Sequence, residues 1–285
     1  MSLEFTLILL FLLMAAPSAT LAACVVDRAP ICRSARELER IRWRRVWLPI
    51  LPSAAITCIL IGWAIAEPGP SDESVTLTSM VAAAPFAFVW CRALIRAFLS
   101  AAWGGPQPVA ATIGLLRPKI LLSPELSKVL DGAALAAVRA HEISHVSHHD
   151  PLRIWVAQLL TDLQWPVPAA YSRFRMWRRA LEIARDEEVR EAGTDGLALA
   201  EAILGVTALA IHPAASYAAF LDDEISFRER IKWLLAPSVA DSGSSGIARQ
   251  RRILVAGVVA ALTATLVGGV AFGDSLVNAL LTALA

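Results

Sequence analysis

The sequence predicts a mainly α-helical membrane protein with four transmembrane helices and an α+β domain inserted between the third and the fourth. Three observations predict it. Four segments, roughly 3–23, 46–66, 77–99 and 253–272, stay apolar over about the 20 residues that a helix needs to cross a bilayer. The charges between these segments are lopsided. A long polar stretch before the last segment carries the pentad His141-Glu-Ile-Ser-His145. Composition agrees: 56% of the 285 residues are apolar and mean hydropathy is +0.57, against about 45–50% apolar in soluble proteins. A formal net charge of +1 gives no sign of direct nucleic-acid binding.

The first apolar segment, 3–23, ends in Leu21-Ala22-Ala23-Cys24, which looks like a lipoprotein cleavage box. A signal peptide needs a positive leading region. Met1 to Phe5 carries Glu4 and no Lys or Arg, so an uncleaved span with its N-terminus outside is expected. Arg28, Arg33, Arg36, Arg40, Arg42, Arg44 and Arg45 then crowd 24–45. The second span, 46–66, leads into 67–76, which holds Glu67, Asp72 and Glu73 and no basic residue. Arg92 and Arg96 close the third span, 77–99, and Arg249, Arg251 and Arg252 precede the fourth. Positive charge stays on the cytoplasmic side. Both termini are therefore expected outside a bacterial-type inner membrane, with 24–45 and 100–252 in the cytoplasm. The expected divisions are a membrane region at 1–101, a cytoplasmic domain at 102–235, a linker at 236–252, and a fourth span with a short external tail at 253–285. Pro237 and Asp241-Ser-Gly-Ser-Ser-Gly246 mark the linker. Four scattered cysteines do not form a disulfide framework.

In the cytoplasmic domain, Val109–Ile113 and Lys119–Leu122 read as short strands around a turn at Gly114. Helices are expected at about 131–149, 151–164, 172–192 and 197–211. Asp131 caps the first. Pro151 stops it near Asp150, which reads as the cap of the second. Trp165-Pro-Val-Pro168 separates the second from the third, and Gly193 closes the third.

On a helix, His141 and His145 lie one turn apart on one face, where both imidazoles can bind one Zn²⁺. Glu142 stands beside the first ligand, placed to act as general base. A catalytic zinc site needs a third protein ligand. Glu182 is the candidate, with Asp186 four residues later on the same face, placed to accept a hydrogen bond from a ligating histidine. His149 is the alternative third ligand. Tyr171 and His212 are candidates for stabilising the transition state, and the sequence does not choose between them. Glu187, Glu188 and Glu191 read as a solvated acidic run, and Arg173, Arg175, Arg178 and Arg179 as a solvated or lipid-headgroup-facing basic face.

These residues, with Leu116-Arg117-Pro118-Lys119-Ile120-Leu121-Leu122, Asp150, Trp165 with Pro168, and Arg230-Ile231-Lys232-Trp233-Leu234, resemble the BlaR/MecR family of membrane-embedded zinc metallopeptidases over roughly 100–235. The resemblance implies a zincin-like metalloprotease domain of the gluzincin type holding one Zn²⁺ per chain. It implies His141, His145 and Glu182 as ligands and Glu142 as the catalytic residue. Lys119, Ile120, Leu121 and Leu122 would pair with an extended substrate by strand addition. This sequence has His148 where members commonly carry a basic residue, and Arg185 where they often have Cys. It ends about a dozen residues after the fourth span, so no penicillin-binding sensor is expected after it.

The function expected is zinc endopeptidase cleavage of a cytoplasmic regulator, such as a transcriptional repressor, or of the protease itself, in signal transduction. The expected partners are that protein substrate, membrane lipid and a separate sensor protein. The sequence leaves homo-oligomerisation open. Two alternatives are a non-proteolytic signalling scaffold stabilised by zinc, and a quality-control or prenyl-processing peptidase of the membrane. A structural zinc site has no need of Glu142, which weighs against the scaffold.

Overall fold

The computed structural model describes residues 34–66, 77–102, 109–210, 227–234 and 244–284. The first expected span, 3–23, lies outside the described residues. The fold is mostly helical, with one short hairpin. Its helices are α1 (Ala35–Trp47), α2 (Leu51–Ala66), α3 (Leu77–Ala102), α4 (Leu126–Val129), α5 (Gly132–Ser147), α6 (Asp150–Leu163), α7 (Pro168–Glu191), α8 (Gly196–Ala210), α9 (227–234) and α10 (Ser244–Leu284). A 3₁₀ turn, Leu48–Ile50, stands between α1 and α2. The strands β1 (Ala110–Ile113) and β2 (Lys119–Leu122) lie between α3 and α4.

The chain divides into two compact units. Among the described residues one comprises 47–66, 77–91 and 244–284, and the other 34–46, 92–102, 109–210 and 227–234. In the first unit, α2 and α10 pack together at glycines. A Cβ at Gly62 would lie 2.3 Å from the Leu266 carbonyl oxygen, and one at Gly269 would lie 2.3 Å from that of Ile59. Two helical stretches among the described residues are long and apolar enough to cross a membrane, one within Ala35–Trp63 and the other Ala256–Gly273. The expected linker differs from the structure over its second half, because α10 is already helical from Ser244. Ile247-Ala-Arg-Gln-Arg-Arg252 contains good helix formers, so the helix propagates back from the apolar stretch.

The second unit is built around α5. The Asp131 side chain accepts a hydrogen bond from the backbone N–H of Ala134 at 2.7 Å, a cap that contributes about 1 kcal/mol. Ala134, Ala137 and Val138 of α5 are buried with Leu199, Ala202 and Ile203 of α8, Leu126 and Leu130 at α4, and Leu234 of α9. Alanines spaced three and four apart let α8 approach closely. α5 ends where His149 adopts a left-handed backbone, φ +52°. That residue takes the cap position of α6, so Asp150 is not the cap but the first residue of α6. α7 starts at Pro168, four residues earlier than expected, and ends at Glu191, with Ala192 as its cap and Gly193, φ +102°, turning the chain away. The hairpin pairs Ala110 with Leu122 and Ile113 with Lys119, and turns at Gly114, φ +95°.

The face of α1 bearing Ala35, Glu39, Trp43 and Val46 docks on α6 and α7. Val46 is buried with Ala157, Phe174, Trp177 and Leu181, and Trp43 stacks on Trp177 with ring centroids 4.8 Å apart. The later half of α3 belongs to the same unit. Arg92 and Arg96 pair with Asp162 at 3.2 and 3.1 Å, and the Trp155 indole donates to the Ala97 carbonyl.

Candidate metal centre

α5 and α7 bring three ligand atoms to one point. His141 Nε2 lies 3.0 Å from His145 Nε2 and 3.3 Å from Glu182 Oε2, and His145 Nε2 lies 3.7 Å from the same oxygen. Zinc in tetrahedral coordination, with bonds of about 2.0–2.2 Å, keeps its ligand atoms about 3.3–3.5 Å apart. The observed triangle is one face of such a tetrahedron. His141, His145 and Glu182 form the only metal-suited cluster among the described residues.

The outer nitrogen of each ring fixes its orientation. His141 Nδ1 lies 2.9 Å from Asp186 Oδ1, and His145 Nδ1 lies 2.9 Å from Asp150 Oδ2. Each carboxylate is clamped in turn by arginine. Arg230 donates to both oxygens of Asp186, Nε at 2.7 Å and Nη2 at 2.8 Å. Arg185 donates to both oxygens of Asp150 at 2.6 and 3.1 Å, and Arg153 adds a third bond at 2.9 Å. The His145 Nδ1 proton is directed at Asp150, while His141 Nδ1 stands close to Asp186 without an aligned hydrogen bond. Both Nε2 atoms turn toward each other and Glu182, where a cation can be held by all three donors. The donor set therefore fits zinc.

Electrostatics follow this geometry. Burial alone would push both histidines down, but the carboxylates outweigh it. Asp186 and Glu182 raise His141, and Glu182 and Asp150 raise His145 to about 10. Burial would raise the three acids, yet each is held below its ordinary range. His145, His141 and Arg230 lower Glu182, His145 with Arg185 and Arg153 lowers Asp150, and Arg230 with His141 lowers Asp186.

Glu142 lines the same cavity, of about 300 Å³. The Thr112 hydroxyl lies 2.8 Å from its carboxylate and 3.0 Å from its carbonyl oxygen, tying β1 along the pentad. Ala110, Ala111 and Thr112 therefore line the cavity, and Lys119, Ile120, Leu121 and Leu122 do not. The strand that lines the cavity is β1, and β2, to which the substrate contact was assigned, is paired with it. Val138, Leu199, Ile203 and Val206 make the apolar wall, and Arg230 enters the cavity beside the triad.

Several other expectations change. His149 is exposed and outside the cluster, because the helix has already ended. Tyr171 is exposed, with the Arg175 guanidinium 4.9 Å from its ring centroid. It lies eleven positions before Glu182, about 16 Å along α7, and does not line the cavity. His212 lies outside the described residues. The acidic run is only partly solvated: Glu187 is buried under α1, Glu188 is half-buried, and Glu191 stays exposed. Glu187 is buried and accepts from the backbone N–H groups of Ala35 and Arg36, Glu188 accepts from Ser144 and Arg185, and Glu191 pairs with Arg36. Arg173 is buried and donates to Gln164. Sequence reasoning found Asp186 but missed the partner of His145. Asp150, five residues on, carried a signal, but its place before a proline suggested a cap. Arg185 and Arg230 entered only through the family resemblance, with no role at the site, and Arg153 was not singled out.

Residues 107–234 match the family described as BlaR1 peptidase M56. No curated protein and no solved structure matches the chain.

Proposed function

We propose, from the match of residues 107–234 to the BlaR1 peptidase M56 family, whose members are zinc metallopeptidases of membranes, that the chain is a zinc endopeptidase whose catalytic domain faces the cytoplasm. The observation that carries this reading is the triangle of His141, His145 and Glu182 with Glu142 in the same cavity. When bound, zinc supplies Lewis acidity and lowers the pKa of water to about 7. Glu142, as general base, takes a proton from the attacking water and delivers it to the leaving amine. Asp186 and Asp150 orient the two imidazoles through Nδ1, leaving each Nε2 on the metal side. Arg230 is placed to stabilise the negative charge that develops on the scissile carbonyl oxygen. An extended substrate segment lies along β1, with an apolar side chain against Ile203 and Val206.

The charge asymmetry supports four spans, with the domain between the third and fourth and both termini outside. A cytoplasmic active site suits a cytoplasmic regulatory protein, repressor-like, or the protease itself as substrate, and suits a role in signal transduction. The test compares protein termini, by mass spectrometry, in cells carrying the native chain and Glu142→Gln. New termini that depend on Glu142 are expected. Identical sets of termini, together with full zinc content in both proteins, would leave the zinc-stabilised scaffold as the better reading.

A further inference from the structure

A continuous line of buried and part-buried polar contacts runs from the metal centre to α1. His145 Nδ1 meets Asp150 Oδ2 at 2.9 Å, Asp150 Oδ1 accepts from Arg153 Nη1 at 2.9 Å, and Arg153 Nη2 donates to Glu39 Oε1 at 2.5 Å. Glu39 belongs to α1, more than a hundred positions away from the others in the chain. The line is enclosed. Glu39 is buried, and its Oε1 also accepts from the Trp177 indole at 2.8 Å. The Arg153 guanidinium sits over both the Trp43 and Trp177 rings, at 5.4 and 5.7 Å. Asp150 is fully buried.

A guanidinium held on two sides by carboxylates and on its faces by indoles has little freedom to turn. With Arg185, which grips both oxygens of Asp150, it fixes the direction of that carboxylate, and Asp150 sets the ring plane of His145. A salt bridge that only docked α1 would not need to end on the partner of a metal ligand. α1 has other docking bonds that do not, such as Arg42 Nη1 to the Met176 carbonyl at 2.9 Å and Gln164 Nε2 to the Val46 carbonyl at 3.1 Å.

We propose that Glu39 is a positioning residue of the metal centre, acting through Arg153 and Asp150 on His145, so that the seating of α1 controls how tightly and in what geometry the metal is held. This rests on the metallopeptidase reading above. It makes the arginine-rich segment ahead of the second apolar helix part of the machinery of the site. A partner or a movement that lifts α1 would loosen the centre without touching the cavity.

The experiment uses the full chain purified in detergent, with Glu39→Ala, Glu39→Gln and Arg42→Ala beside the native protein. Zinc affinity is measured by competition with a chelator, geometry by the visible spectrum of the cobalt(II)-substituted protein, and stability by thermal unfolding. Removing an outer partner of a metal ligand typically costs 10–100-fold in metal affinity. One layer further out, Glu39→Ala is expected to weaken zinc by about 10-fold and to shift the cobalt bands. Glu39→Gln keeps the volume and the acceptor for Trp177 but loses the charge, so it should fall between Ala and native. Arg42→Ala should lower the unfolding temperature and leave affinity and spectrum unchanged. If Glu39→Ala does not fold, Glu39→Gln decides alone. Native affinity and native cobalt bands in the folded Glu39 variants would overturn the positioning role and reduce Glu39 to a docking contact. If the native protein itself holds no zinc, the metallopeptidase reading fails instead.

Discussion

Two imidazole lone pairs and a carboxylate oxygen converge within 3.0–3.7 Å only because their other sides are anchored. Each anchor is a carboxylate neutralised by arginine, so the residues that matter extend well beyond the ligands. Glu142→Gln preserves shape and the acceptor for Thr112 but cannot take a proton. It is expected to retain about one zinc per chain while cleavage falls by roughly 10²–10⁴-fold. Elemental analysis beside cleavage of an identified substrate checks this. Glu182→Ala removes a ligand and should show the reverse order, losing zinc first. Arg230→Ala leaves Asp186 buried without its bidentate partner, which typically costs about 3–5 kcal/mol, so a marked drop in unfolding temperature is expected. A variant as stable as the native protein would mean that water reaches Asp186. The pentad and the Glu182/Asp186 pair were legible because one helical turn sets their spacing. Arg153, Arg185, Arg230 and Glu39 were not, because each becomes part of the site only by tertiary contact. Asp150 was visible but misassigned, since a carboxylate before proline satisfies a local rule as well as a distant one.

The helices α5 to α8 were legible from capping, proline and glycine, with ends displaced by a few residues where α7 begins early and α5 stops before His149. The hairpin was legible too, but not which strand faces the cavity. Two four-residue strands carry no signal that tells an inner one from an outer one, and the Thr112 contact to Glu142 decides it. In the membrane-type unit the informative residues are small. Gly62 and Gly269 let the backbones of α2 and α10 touch, as small residues do where apolar helices pack in lipid. At Gly269, even a methyl group would come 2.3 Å from the Ile59 carbonyl oxygen, which is backbone and cannot rotate away. Gly269→Val should therefore separate the helices and lower stability in detergent. Gly257→Ala, where a methyl group meets nothing within 4 Å, should be silent. Equal unfolding temperatures for both variants would show that the α2–α10 contact contributes nothing.

At the scale of the whole molecule, arginine placement predicts that a reporter fused after Ser71 is active outside the cytoplasm and one fused after Ser244 inside; opposite signals at both would invert the topology. The metal and the proton are coupled over the same range of scale, from one ring to the stability of a domain. Without metal, His145 carries a proton that Glu182 and Asp150 hold against burial, up to a pKa of about 10. In the unfolded chain the ring has its ordinary value of about 6.5. Between these two values the folded state binds a proton that the unfolded state does not, so stability falls as pH rises. The contribution is complete below about 6.5 and gone above about 10. Zinc needs the same nitrogen bare, so its binding near neutral pH releases protons and its apparent affinity climbs with pH. Chelator-treated protein should therefore lose thermal stability steadily from about pH 6.5 to 9.5, while zinc-loaded protein does not, and the gap between the two should widen. Thermal unfolding of both forms across that window makes the comparison. A metal-free unfolding temperature that stays flat or rises would mean that His145 is neutral in the empty site, and that the Glu182 carboxylate does not hold a proton on it.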